Sequence, residues 1–365
     1  MNLVELRNLD LARYHQNRLK LDLGGFTVIT ECASKAYAYT PVMAAMEGAK
    51  VIAVGRDSSY GLFEENRDFI QKLLGKADCN DRVEFVKGAL EDKVIKRGDI
   101  FTNSGFLRPF SANVASVMKH EAVLCLMWEA WEVRQGEIDI SAFQQRRIPV
   151  IGTNESSPVL KMLDYPGTLA LKLLFETGCE VANNHIVLLG SGLTGREIAR
   201  YFRKTGISFD WISNEKSGKE SVSYTNWEKI LDLPRVDAIL AAEHSCPDKL
   251  AGQGGFLNLS RIKEKFPFVK WAHLSGNMNR EELVKVGIDT YPAKFNPFGY
   301  MTYETVNLGW EPAIILNAAG LKVGEIAAKA RKSGKSPEVA IAACVEHGIG
   351  QDFPGGFFNF NFNRD

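Results

Sequence analysis

The strongest chemical signal in the chain is a glycine-rich hexapeptide, Gly190-Ser191-Gly192-Leu193-Thr194-Gly195. It follows HIVLLG (185–190), which reads as a strand, and leads into EIARYFRKTG, which reads as a helix. This strand–turn–helix context is what G-x-G-x-x-G needs to hold a dinucleotide. Gly190 permits the tight turn, Gly192 lets the backbone approach a pyrophosphate, and Gly195 lets helix and strand pack closely. The helix N-terminus supplies N–H groups and a partial positive charge for the phosphates. The next strand, SFDWIS (208–213), bears on the cofactor, because an NAD site places an acid at its end. Ungapped counting puts Ser213 there, followed by Asn214, Glu215 and Lys216. A hydroxyl, an amide and a cation suit a 2′-phosphate, so NADP is the expected cofactor. NAD is the alternative if Glu215 reaches the ribose.

A second set of polar residues falls at the ends of other predicted strands, where parallel α/β proteins bind ligands. They are Glu31, Ser34 and Lys35, then Arg56, then Asn103 and Arg108, then Asn154. Each alone is ordinary turn chemistry. Together they suit a small polar or anionic substrate, with Arg108 or Arg56 placed to grip a carboxylate. For proton transfer, the candidates are His244, which follows the strand AILAAE (238–243), Lys35, and Tyr300 in FNPFGYMTYE. His244 also falls where it would touch the cofactor. His273 and His120 read as structural. Cys32 has no visible base partner and is a weak nucleophile candidate. No H-x-x-x-H, H-E-x-x-H or Cys/His cluster occurs, so no metal site is expected.

These residues need a scaffold. Short β-branched runs alternate with helical patterns along the 365 residues, the sign of parallel α/β architecture. FTVIT (26–30), KVIAVG (50–55), RVEFVKG (82–88), DIFTNSG (99–105) and IPVIGTN (148–154) read as strands, and TPVMAAMEGA (40–49) as a helix with Pro41 in its first turn. A connecting helix is expected within 157–177, and VKWAHLS (269–275) continues the strand pattern beyond the glycine motif. GLKVGEIAAKARKSG (320–334) reads as an amphipathic helix, and the phenylalanines of PGGFFNFNFN are expected to pack on another surface. The predicted fold is α/β with two α/β domains. Residues 1–155 plus 321–365 form a flavodoxin-like substrate domain, and 156–320 a Rossmann domain with a parallel sheet, with a cleft between them.

Composition narrows the function classes. Lys plus Arg and Asp plus Glu are 44 each, so no bulk attraction to nucleic acid or an anionic membrane is expected. The six cysteines are scattered without a C-x-x-C pair, which fits free thiols in a reducing cytoplasm. The charged start lacks an apolar signal core, and no apolar run is long enough to span a bilayer.

From about residue 150 the order of features resembles the D-2-hydroxyacid dehydrogenase family, which includes formate and glycerate dehydrogenases. LLGSGLTGREIAR, DAILAAEHSCPDKLAG, HLSGNMNREELVKVGI and AIILNAAGLKVGEIAAKA carry the resemblance. It implies a two-domain Rossmann fold and a nicotinamide dinucleotide. It does not carry over the reaction. Where the family has its substrate-gripping arginine this chain has Gly276-Asn277, and Asn317 stands where the catalytic histidine would fall, which leaves Asn317 as a substrate contact. The acid that would polarise that histidine has no clear counterpart, although Glu304 and Glu311 lie nearby.

The expected function is therefore an NAD(P)-dependent oxidoreductase acting on a small polar or anionic molecule, as a homo-oligomer such as a dimer. The alternatives are a dinucleotide-sensing regulator without turnover, or a lyase or hydrolase that retains its NAD.

Overall fold

The computed structural model describes residues 2–214 and 221–362. The chain divides into two units, Met1–Met162 with Trp310–Asp365, and Leu163–Gly309.

The first unit is built on seven strands: β1 (Thr27–Glu31), β2 (Lys50–Gly55), β3 (Val83–Lys87), β4 (Ile100–Thr102), β5 (Val123–Cys125), β6 (Val150–Thr153) and, near the C-terminus, β12 (Gly350–Gln351). Their order is β12-β6-β5-β4-β1-β2-β3, with β12 antiparallel to β6 and the others parallel. The six parallel strands thus run 3-2-1-4-5-6, the doubly wound order associated with dinucleotide folds. The flavodoxin fold, to which this unit was likened, has the order 2-1-3-4-5. The difference arises because β3 pairs outside β2 and so lengthens that side of the sheet. The chain passes from one side of β1 to the other between β3 and β4, so the crevice at the carboxyl ends of β1 and β4 is the switch point.

Several helices of this unit were not read in full from the sequence, among them Phe63–Ala77 and Pro337–Glu346, and two more show why. The helix Leu3–Leu19 opens with a reciprocal cap. Asn2 Oδ1 accepts from the Glu5 backbone at 2.9 Å, and Glu5 Oε2 accepts from the Asn2 backbone at 2.7 Å. Its buried stripe mixes Leu9, Ala12 and Leu19 with Asn8, His15 and Gln16, so the polar residues mask the apolar period. The other helix runs unbroken from Glu311 to Lys332, starting earlier than the expected 320. It crosses β4 and β5 at close range: a Cβ on Gly320 would lie 2.6 Å from Met127 Sδ, and one on Gly324 2.6 Å from Ile100 Cγ2. In the tail, Phe353 and Phe357 are buried, and the Gln144 amide donates to the carbonyls of Phe357 and Phe360.

The second unit has five strands, β7 (His185–Leu189), β8 (Ser208–Ile212), β9 (Ala238–Ala242), β10 (Lys270–Ser275) and β11 (Asp289–Tyr291), all parallel. Their order, β11-β10-β9-β7-β8, is 2-1-3-4-5, with the switch point between β7 and β9. β7 and β9 are apolar almost throughout, and β10 is buried beyond Lys270, because both faces of the sheet are covered. Val187, Leu189, Ile239 and Trp271 face one cluster, and Ile186, Leu188, Leu240 and Ala272 the other. On the second face lie the helices Tyr165–Glu176 and Gly192–Thr205. The latter buries Gly195, Ile198, Ala199 and Phe202, spaced three and four apart. No helix among the described residues is long and apolar enough to cross a membrane.

Candidate functional site

In the second unit the glycine turn leaves β7 at the switch point. The Gly190 N–H donates to Ile212 O on β8 at 3.0 Å, and the Trp211 indole donates to Gly190 O at 2.7 Å. A Cβ on Gly190 would stand 2.8 Å from Ala242 O at the end of β9, and one on Gly195 2.6 Å from Gly190 C. No other residue fits those two places. Gly192 takes the left-handed region that glycine tolerates best, with Ser245 Oγ against it where a side chain would project. Leu193 and Thr194 form the half-buried first turn of the helix. Ser191 stands at its N-cap, yet its side chain makes no capping bond. Its hydroxyl instead accepts from the Asn214 backbone at 2.8 Å and from Ser213 Oγ at 3.2 Å. The first-turn N–H groups, which have no partners within a helix, are thus not capped by Ser191.

That bond changes the role expected of Ser213. It is fully buried, and its hydroxyl points at Ser191 rather than toward a ligand. Asn214 is exposed, with its amide on Cys246 Sγ at 3.0 Å. Glu215 and Lys216 lie outside the described residues.

A buried network that the sequence reading missed supports the loop after β9. Glu243 is fully buried. Its Oε1 accepts the N–H groups of Ser245 (2.8 Å) and Cys246 (2.9 Å), and its Oε2 accepts the Tyr224 hydroxyl (2.8 Å). Burial, and then the neighbouring carboxylate, push the Tyr224 phenol well above its ordinary range, so the tyrosine stays a donor. Together they fix the half-buried His244 in a loop beside the glycine turn. Glu243 did stand at the end of a predicted strand, but nothing in the sequence ties Tyr224 to it across nineteen positions.

Further along the sheet, His273 on β10 is buried and stacked on Phe295, with ring centres 3.8 Å apart. Burial lowers its pKa to about 3, so it is neutral and structural, as expected. Tyr300 is exposed in the turn after β11.

In the first unit the strand ends bring some expected residues together and commit others elsewhere. Glu31, at the end of β1, is 7% exposed, and its Oε2 accepts the Phe106 backbone N–H at 3.3 Å. Burial raises its pKa to about 7, despite that bond, the nearby Arg108 and the Gly105 N–H. A Cβ on Gly105 would lie 3.6 Å from both Glu31 Oε2 and Arg108 Nη2, so the carboxyl and guanidinium flank one point. Arg108 also pairs with Glu137 and lies over the Trp128 ring at 5.0 Å. Arg56 lies over Phe106 at 5.4 Å. Asn103 is fully buried, and its Oδ1 accepts from the Met127 backbone at 2.9 Å. Ser34 Oγ donates to Tyr60 O at 3.2 Å, and Lys35 is exposed in a left-handed conformation. Asn154 closes its own turn onto Ser156 and reaches Gly348 O. Asn317, expected in the dinucleotide domain, is buried on the helix Glu311–Lys332 of the first unit. Burial pushes the Cys32 thiol up to about 12, which disables it as a nucleophile. Among the described residues, no group of three or more His, Cys, Asp or Glu is placed to hold a metal ion.

No family model and no curated protein matches the chain. Among solved structures it is similar to a dipicolinate synthase chain from Bacillus subtilis, at 11% identity and TM-score 0.52, over 87% of this chain and 100% of that one. The corresponding dipicolinate synthase chain of Bacillus halodurans matches at 11% identity and TM-score 0.50, over 81% and 96%. The fold is a two-domain Rossmann fold. At this identity the likeness shows fold alone. The NADPH-dependent glyoxylate/hydroxypyruvate reductase of Sinorhizobium meliloti is also similar, at 13% identity and TM-score 0.39, over 78% and 96%.

Proposed function

We propose that the chain is an NAD(P)-dependent oxidoreductase that binds its dinucleotide on the glycine turn of the second unit. One observation carries this reading: Gly190 and Gly195 meet backbone to backbone at the switch point of a parallel sheet, with the helix start beside them uncapped by Ser191. The residues fit the cofactor. Gly190–Gly195 would cradle the pyrophosphate, with the Ser245 hydroxyl beside Gly192, and the Tyr224–Glu243 network would hold the neighbouring loop rigid. NADP(H) is the preferred form, because no acid stands at the end of β8 among the described residues, where Ser213 is turned inward onto Ser191 and Asn214 is exposed. When bound, the cofactor supplies the hydride acceptor or donor. His244 carries the proton that must accompany hydride transfer, since an imidazole titrates in the range where such exchange is efficient. The polar strand ends of the first unit, Glu31, Asn103 and Arg108 foremost, take the small polar or anionic substrate.

Trp211 donates to Gly190 O, which makes its fluorescence a direct reporter of the turn. Titration with NADPH and with NADH should each give saturable quenching, lost in Trp211→Phe, with NADPH the tighter. No saturable response to either would refute the reading. Tighter binding of NADH would refute the cofactor preference.

A further inference from the structure

Three N–H donors at the strand ends of the first unit are buried without an acceptor: Asn103 Nδ2, Arg108 Nε and Trp128 Nε1. Buried donors are nearly always satisfied, so each of these needs a partner. They belong to one neighbourhood. Asn103 is fully buried at the end of β4 and is oriented by its Oδ1 bond to Met127 N, the residue before Trp128. Arg108 lies over the Trp128 ring at 5.0 Å. Glu31 completes the group across the switch point, with Arg108 Nη2 and Glu31 Oε2 each 3.6 Å from the Cβ position of Gly105.

We propose that this switch point is a proton-linked seat for a small carboxylate, with Asn103, Arg108 and Trp128 donating to the ligand and Glu31 engaging it in the acid form. It rests on the oxidoreductase reading only in taking the ligand to be the substrate; the seat itself requires no dinucleotide. The donor set favours a planar oxyanion, because an amide, an indole and a guanidinium offer N–H donors and no acceptor competes for them in this neighbourhood. A carboxylate beside an ionised Glu31 would be repelled, whereas a protonated Glu31 donates its O–H to it. The charged and titratable groups around Glu31 are Arg108 on the loop after β4, Cys32 next in the chain, and Arg56 across Phe106. Arg108 is itself paired with Glu137, and Glu64 and Arg67 lie beyond Cys32. The Glu31 carboxyl is raised to about 7 chiefly by burial. Ligand binding should therefore take up one proton at Glu31 above that pH, and none well below it.

The test uses the full chain and sodium malonate at constant ionic strength. Binding is followed by the indole N–H resonance of Trp128, assigned with Trp128→Phe, and by heat in buffers of different ionisation enthalpy. The expected result is a saturable shift of that resonance, with affinity falling about tenfold per pH unit from pH 7.5 to 9. Glu31→Gln, which offers an N–H at every pH, should bind with no pH dependence and no proton uptake. Asn103→Ala should bind at least tenfold more weakly; if it fails to fold, Asn103→Ser carries the same expectation. An indole resonance that ignores malonate, or that moves equally with sulfate, overturns the proposal. So does a pH dependence that survives in Glu31→Gln. Titrating NADPH into the same sample separates the two readings. A chain that binds NADPH but not malonate loses only the seat, and one that binds malonate but no dinucleotide loses only the oxidoreductase assignment.

Discussion

Replacing Gly195 by alanine tests the contact on which the dinucleotide reading stands. The added Cβ would lie 2.6 Å from Gly190 C, and closer still to Gly190 O. Carbon atoms pack best at about 3.5–4.0 Å, so turn and helix must part by about 1 Å. Both partners are backbone, so no side chain can rotate away. The displacement must instead propagate to β9, because a Cβ at Gly190 would already stand 2.8 Å from Ala242 O. Overpacking of this kind costs typically about 1–3 kcal/mol, and the backbone-to-backbone contact puts Gly195→Ala near the top, at about 3 kcal/mol. For a unit of about 150 residues that is a fall of roughly 6–12 °C in melting temperature. The assay is thermal unfolding followed by tryptophan fluorescence, with NADPH titration on the same protein. Gly206→Ala is the control. Gly206, unlike Gly195, is left-handed, and a Cβ there would meet nothing within 4 Å. Only the conformational cost of about 1–2 kcal/mol then applies. Gly195→Ala should melt lower than the control and bind NADPH at least tenfold more weakly. Melting within about 2 °C of wild type, a shift of at most about 1 kcal/mol, with unchanged NADPH affinity, would show that the turn does not need its glycines. That result would remove the main support for the assignment.

Other expectations follow from the same geometry. Tyr224→Phe removes the donor to Glu243 Oε2, a buried bond to a charged group worth about 1.5–3 kcal/mol, and should lower both melting temperature and NADPH affinity; unchanged values would place the network outside the site. Glu31 has a folded pKa of about 7 against 4.5 unfolded, so the folded state holds the proton more tightly and its contribution is lost as pH rises through that window. Between pH 4.5 and 8, Glu31→Gln should therefore gain about 3 kcal/mol relative to wild type in denaturant unfolding, and a constant difference would contradict the burial argument. His273 behaves oppositely. Its folded pKa of about 3 lies below the ordinary 6.5, so stability is full above pH 6.5 and falls by up to about 4 kcal/mol toward pH 3.5, and its ring resonances should not titrate between pH 5 and 8. His244→Asn should lower turnover by about 10²–10⁴ and flatten its pH profile near neutrality, whereas undiminished turnover would pass the role to Lys35 or Tyr300.

The sequence was legible where one local rule dominates. β7 and β9 are runs of apolar residues buried on both faces, and the Gly190 turn is set by three residues whose alternatives are sterically barred. It was less legible where structure depends on distant partners. β11 and β12 are only three and two residues long and owe their pairing to β10 and β6. The helix Leu3–Leu19 hides its buried stripe behind polar side chains with internal partners, such as Gln16 Nε2 on Met43 O and His15 on Glu311. The site shows the same division. The glycines, Glu31, Asn103 and Arg108 could be picked out as types at strand ends. That Ser213 points inward, that Glu243 is held by Tyr224, and that Trp128 carries an unpaired indole N–H are facts of packing, with no local signature.

The strand orders also bear on which unit holds the dinucleotide. The first unit has the 3-2-1-4-5-6 order and hence a switch point between β1 and β4, so topology alone would make it the better nucleotide fold. Its chemistry argues otherwise. The turn after β1 reads Glu31-Cys32-Ala33-Ser34-Lys35 and contains no glycine. The place where a pyrophosphate would meet backbone N–H groups is taken by a buried carboxyl, which already accepts the Phe106 N–H. A pyrophosphate there would confront a group of its own sign in a site nearly closed to water, where such repulsion is least screened. The second unit, with one fewer strand in the order, has the reverse chemistry at its switch point. It has glycines at the turn and a helix start that Ser191 leaves uncapped, and its buried acid Glu243 is turned toward Tyr224 and the Ser245 and Cys246 N–H groups. On the proposed reading, side-chain chemistry at the two switch points, and not sheet topology, is what favours the dinucleotide in the second unit and the substrate in the first.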